Sequence, residues 1–72
     1  MTRGETFKNL REERGMTQMQ LADKSGIPQP TISIMENDKH QLMFDTVIKM
    51  AEGLGIKPVE LMSMLMGGND HD

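Results

Sequence analysis

Cysteine, tryptophan and tyrosine are all absent from this 72-residue chain, and phenylalanine occurs twice. Without thiols there can be no disulfide staple and no thiolate metal site. The two histidines, His40 and His71, cannot build a triad or a metal centre with what surrounds them, so no enzyme activity, metal or cofactor is expected. No apolar run approaches the roughly 20 residues of a membrane span. Met1–Leu10 is polar and mixed in charge, unlike a signal peptide. A cytoplasmic protein with no membrane partner is the expectation. A surplus of positive charge is also missing: 8 Lys and Arg stand against 11 Asp and Glu, for a net charge of −3. That balance argues against strong non-specific attraction to a polyanion. Two of the acids, Asp70 and Asp72, lie in the terminal GGNDHD, and the rest of the chain is close to neutral. The sign of one face therefore matters more than the total.

Methionine is plentiful, with nine residues. It fills irregular gaps and suits adaptable interfaces. The length allows one domain with a marginal core, which below about 80 residues needs dense helix packing or a partner subunit.

The apolar spacing reads as five short helices and almost no strand. A first helix from about Gly4 to Arg14 places Phe7, Leu10 and the stem of Arg14 on one face, with Gly15 as a stop. A second opens at Thr17, where Thr17 and Gln20 make a capping box and Met16 and Leu21 a hydrophobic staple. Ala22 is the small residue expected where two helices approach closely, and Gly26 can take the positive φ of a reversal. Within IPQP, Pro30 disfavours a helical Gln29, so Gln29 is the expected cap and Pro30 the first helical residue of a third helix. That helix runs to about Glu36 with Ile32 and Met35 inward. It leaves Gln29, Pro30, Ser33 and Ile34 facing outward or sideways. NDKHQLM is a loop. A fourth helix, about Phe44–Leu54, has Val47, Ile48, Met50, Ala51 and Leu54 as its stripe. Gly53-Leu54-Gly55 is read as a helix end, because no strand precedes it to make a nucleotide loop. A fifth helix starts near Pro58, and Leu61, Met62, Met64, Leu65 and Met66 make it apolar on more than one face. Residues 1–66 are expected to form the domain and 67–72 a disordered tail.

Residues 17–37, TQMQLADKSGIPQPTISIMEN, have the layout of a helix-turn-helix. With LREERG ahead of them and KMAEGLGI behind, nearly the whole chain resembles the Cro/CI type (XRE, lambda-repressor-like) of DNA-binding protein. The resemblance implies an all-α, five-helix lambda-repressor-like domain that binds operator double-stranded DNA, usually as a homodimer, with the third helix in the major groove. It implies a phosphate contact for Gln18 and base reading by Gln29, whose amide can pair bidentately with adenine. Pro30 and Ile34 stand where the family often has polar groups, and could pack on thymine methyls. Ser33 lies beside them and can bond a base or a phosphate. Thr31, Asn37 and Lys39 fit backbone contacts. Arg11 and Glu36 match a family ion pair that would orient the third helix and bring the Arg11 guanidinium near a phosphate. Asp38 and Met43 are departures, at positions where the family often has glycine and a capping serine. Asp38 weakens the local positive field, although aspartate tolerates a left-handed turn.

Leu61, Met62, Leu65 and Met66 form the expected dimer interface, since a surplus apolar helix is normally covered by something. The expected function is a bacterial or phage-encoded repressor on a near-palindromic operator with half-sites about 34 Å apart, nucleoid-associated when bound. The alternatives are an antitoxin-type regulator whose main partner is a toxin, favoured by the acidic balance and the run QLMF, or a protein-binding adaptor that has lost DNA binding.

Overall fold

The computed structural model describes residues 2–39 and 43–67, and every described element is a helix: α1 (Arg3–Glu13), α2 (Gln18–Ser25), α3 (Gln29–Glu36), α4 (Phe44–Leu54) and α5 (Pro58–Leu65). His40, Gln41, Leu42 and the tail beyond Gly67 lie outside the described residues. Among the described residues no helix is long and apolar enough to cross a membrane, and no group of His, Cys, Asp and Glu could hold a metal ion.

Each helix start has a local cause. At α1 the Thr2 hydroxyl accepts from the Glu5 amide, and the Glu5 carboxylate accepts from the Thr2 amide. Thr17 and Gln20 repeat this capping box at α2, as their spacing predicts. Glu60 accepts from the Lys57 amide at the start of α5, one residue before Pro58. Met43 begins α4 with no side-chain cap, which is what replacing a capping serine entails. Gly26 and Gly55 end α2 and α4 in the left-handed conformation, which costs glycine no Cβ clash.

The start of α3 differs from expectation by one residue. Pro28 is the cap, Gln29 the first helical residue and Pro30 the second. The Pro28 carbonyl accepts from the amides of Thr31 and Ile32, which anchors the first turn. A proline at the second position removes an amide that has no intrahelical partner anyway. The bias against a helical residue before proline is thereby overcome, and the Gln29 side chain is left free of capping duty.

The core is built from all five helices. Phe7, Leu21, Ile32, Met50 and Leu61 are its largest fully buried side chains, with Leu10, Ile27, Met35, Val47, Ala51, Leu54 and Leu65 around them. α2 packs on α4 and α3, while α1 packs on α3 and α5. Two glycines permit the tightest crossings. A Cβ on Gly4 would lie 2.4 Å from the Glu36 carbonyl oxygen, and one on Gly53 would lie 2.7 Å from Ser25 Cβ. Close approach of α2 to a neighbour thus depends on Gly53 of α4, and Ala22 is only part-buried at the edge of the core.

Candidate nucleic-acid interface

α3 is braced from behind by Ile32 and Met35, both in the core, and tied at its C-terminal end by an ion pair. The Arg11 guanidinium donates to both carboxylate oxygens of Glu36, from Nε at 2.7 Å and from the terminal nitrogen at 3.1 Å. A third donation, at 2.7 Å, goes to the Met16 carbonyl. The Arg11 side chain is 11% exposed and that of Glu36 3%. The hydrogen bonds to Glu36 hold the Arg11 guanidinium above its ordinary pKa; burial opposes this, and the charges of Glu36 and Glu12 add to the rise. Such a bidentate pair fixes orientation as well as distance. Arg11 therefore locks the end of α3 to α1 and to the approach of α2.

At the other end of α3, the half-buried Gln29 donates from its amide to the Gln18 carbonyl oxygen at 2.7 Å. Gln18 in turn donates to Glu36 Oε1 at 3.0 Å. The first residue of α2 and the first residue of α3 are thus fastened amide to amide. Pro30 and Ile34 are exposed on the outward side, with Thr31 and Ser33 half-buried beside them. Asn37 is exposed and donates back to the Ser33 carbonyl at 2.8 Å, and Lys39 is exposed just beyond.

The acidic residues nearest this face are occupied inward. Glu36 is taken up by Arg11. Asp38 has φ 62, the left-handed turn its residue type tolerates, and its carboxylate accepts from the Gly4 amide at 2.8 Å. A bond from Thr2, then the one from Gly4, with help from Arg3, holds the Asp38 carboxyl below the usual carboxylate range. The charge expected to weaken the field of the loop instead sits against the N-terminus of α1, where it is favourable.

A family model described as helix-turn-helix matches residues 7–61. The chain belongs to the helix-turn-helix family. This helix-turn-helix chain is 33% identical over 60 residues to an uncharacterised HTH-type transcriptional regulator, y4dJ, of Sinorhizobium fredii, over 83% of this chain and 78% of that protein. It is 35% identical over 57 residues to the immunity repressor of Bacillus phage phi105, and there it spans 79% of itself but only 40% of the relative. Among solved structures it resembles the restriction-modification controller protein C.AhdI of Aeromonas hydrophila, with TM-score 0.77, 29% identity and coverage of 82% and 89%. It also resembles C.Esp1396I bound to a 19 base pair DNA duplex, with TM-score 0.80, 29% identity and coverage of 96% and 92%. The Cro/CI-type resemblance and the five-helix, all-α expectation hold, and the family is one of transcription regulators, not of enzymes.

Within this helix-turn-helix, two features escape the sequence pattern. The Gln18–Gln29 bond joins residues 11 apart, and nothing in either neighbourhood announces it. The four residues expected at a dimer interface also divide. Leu61 has 0% exposure and Leu65 9%, so a partner cannot reach Leu61 without opening the core. Their i, i+4 spacing points both inward. Met62 is half-buried and Met66 72% exposed, and the stripe they share runs through Val59, at 70%.

Proposed function

We propose that the chain is a sequence-specific, DNA-binding transcriptional repressor that acts as a homodimer on a near-palindromic operator, with α3 of each subunit in the major groove. The observation that carries this reading is the Gln18–Gln29 amide pair at the outward start of a braced α3. In this reading Gln29 pairs with a base edge, and Ser33, Pro30 and Ile34 extend the contact along the groove. Gln18 uses one amide N–H on Glu36 and keeps the other for a phosphate at the N-terminus of α2, where free backbone amides and the helix dipole favour an anion. Thr31, Asn37 and Lys39 supply further backbone contacts, and Arg11 acts chiefly by placing α3. The relatives carry regulator and repressor names, which favours this reading over a toxin-neutralising one.

Dimerisation would use the outward stripe of α5, Val59, Met62 and Met66. It supplies a second copy of α3 and sets the half-sites about one turn apart, ~34 Å. Because the chain is not basic overall, affinity would rest on two copies bound together and on a few phosphate contacts.

The test is a selection of bound sequences from random duplex DNA at low salt, repeated with Gln29→Ala. Sequence preference should relax at one base pair per half-site, by about 1–3 kcal/mol. Unchanged preference at every position would remove Gln29 from base reading.

A further inference from the structure

Four side chains form a continuous hydrogen-bonded line from the interior to the outer edge of α3. Arg11 donates twice to Glu36, Gln18 donates to Glu36, and Gln29 donates to Gln18. The direction of this line follows from chemistry. An ionised carboxylate can only accept, so the part of Gln18 that meets Glu36 must be its NH2. That turns the Gln18 carbonyl oxygen toward Gln29. A carbonyl oxygen can only accept as well, so Gln29 must meet it with its own NH2. The polarity of each amide is therefore dictated by its neighbour nearer the core, beginning at Glu36.

Gln29 then has one N–H and one carbonyl oxygen left for anything outside. Adenine offers an acceptor at N7 and a donor at N6 in the major groove, whereas guanine offers two acceptors, N7 and O6. One donor beside one acceptor complements adenine. Against guanine it leaves two oxygens facing each other, and such a mismatch rejects a partner as effectively as a good contact selects one.

We propose that Glu36, which would touch no DNA, is the positioning residue that makes Gln29 select adenine over guanine. This rests on Gln29 being a base contact. The proposal makes a sharper demand than loss of preference. In Glu36→Gln the remaining oxygen keeps the shorter Arg11 bond, from Nε, and an NH2 replaces Oε1, which faced Gln18 and also took the longer Arg11 bond, so that longer bond is lost. Gln18 must then present its carbonyl to it and its NH2 to Gln29. Gln29 turns its own carbonyl inward and shows two N–H donors to the groove. That set fits guanine.

The experiment uses the full chain. A random-sequence duplex library gives the selected site, and binding is then measured on duplexes carrying A·T or G·C at the pair opposite Gln29. The native chain should select adenine there and prefer it to guanine by about tenfold or more. Glu36→Gln should bring the two within about threefold or reverse them, since each tenfold is only 1.4 kcal/mol. Gln18→Met carries the test if Glu36→Gln fails to fold, because it leaves the ion pair intact and cuts the line. It should bind all duplexes more weakly and discriminate adenine from guanine by less than about threefold. In side-chain amide NMR of the free protein, one Gln29 NH2 proton should be exchange-protected through its bond to Gln18, and Gln18→Met should abolish the protection. The proposal is overturned if either folded variant keeps the native adenine-to-guanine ratio, or if the native chain selects guanine. Should Gln29→Ala itself leave that ratio unchanged, the base-reading assignment is what fails, and this inference fails with it.

Discussion

α1 and α5 each commit few apolar side chains to the core, Phe7 and Leu10 from one and Leu61 and Leu65 from the other. They make up the shortage in opposite ways. α1 is fastened by polar groups along its whole length. Gly4 donates to Asp38, Arg11 holds Glu36 and the Met16 carbonyl, and Arg14 donates to the Leu54 carbonyl at 2.6 Å and to the Leu10 carbonyl at 3.1 Å. Arg14 thereby closes the C-terminal end of α4, where a cation is favoured. Among the described residues, α5 accepts such a bond from Arg3, at the Leu65 carbonyl and 3.4 Å long, and leaves Val59, Met64 and Met66 exposed. Directional bonds fix angle and register, which is what a helix reading a groove requires of its support. An apolar stripe fixes little by itself and gains most by being covered. One end of the chain is thus specified internally, and the other is open to a second subunit.

The comparison breaks most visibly at Arg11. In Arg11→Met the Glu36 carboxylate keeps its burial and loses its cation, and removing one partner of a buried pair typically costs about 3–5 kcal/mol. For a chain this short that is a large share of the whole stability, roughly 0.05–0.15 kcal/mol per residue. Urea melts of native and variant protein measure it. A loss under about 1 kcal/mol would place the pair with ordinary surface ion pairs. Gly4→Ala comes next. Its Cβ would meet backbone at Glu36 and Met35, which cannot swing aside as a side chain can. The expected loss is about 1–3 kcal/mol, together with weaker DNA binding at matched folded fraction, because α3 must shift.

How far the sequence reaches follows the same division. Features set within a few residues are legible: the Thr17–Gln20 capping box, the turn at Gly26, the inward phase of Ile32 and Met35, and a left-handed Asp38. TRGE at 2–5 also spells a capping box, though a start placed at Gly4 passes over it. Features set by packing are not legible. Gly4 and Gly53 look like weak points in their helices, and only the crossing of a second helix explains them. Asp38 looks like a charge on the loop face until its partner, 34 residues away, is located. α5 is apolar on several sides, so its composition does not say which stripe the core takes. Leu61 and Leu65 went inward, which leaves Val59 for the surface.

That assignment sharpens the contrast at the other end. Val59 and Met66 lie seven residues apart on one side of α5, and a charge at either should change the stability of the isolated subunit by less than about 0.5 kcal/mol. The pair Val59→Glu and Met66→Glu should nevertheless shift sedimentation equilibrium from dimer to monomer and weaken operator binding, while Gln29→Ala leaves association intact. A native chain that sediments as a monomer at every concentration would separate DNA binding from this stripe altogether.

The smallest effect belongs to Asp38, and it has a sign. Its carboxyl sits below the usual carboxylate range in the folded chain, so the folded state binds that proton less readily than the unfolded one. The stabilisation is therefore complete at neutral pH and fades as pH falls below about 4, through the depressed value. Asparagine tolerates the same left-handed turn and can still accept from the Gly4 amide, so Asp38→Asn removes the charge and little else. Native and variant melting temperatures should differ slightly at pH 7, with the native chain higher, and converge on acidification. Convergence at high pH, or a gap that does not depend on pH, would mean that the contact of this carboxylate with α1 adds nothing beyond geometry.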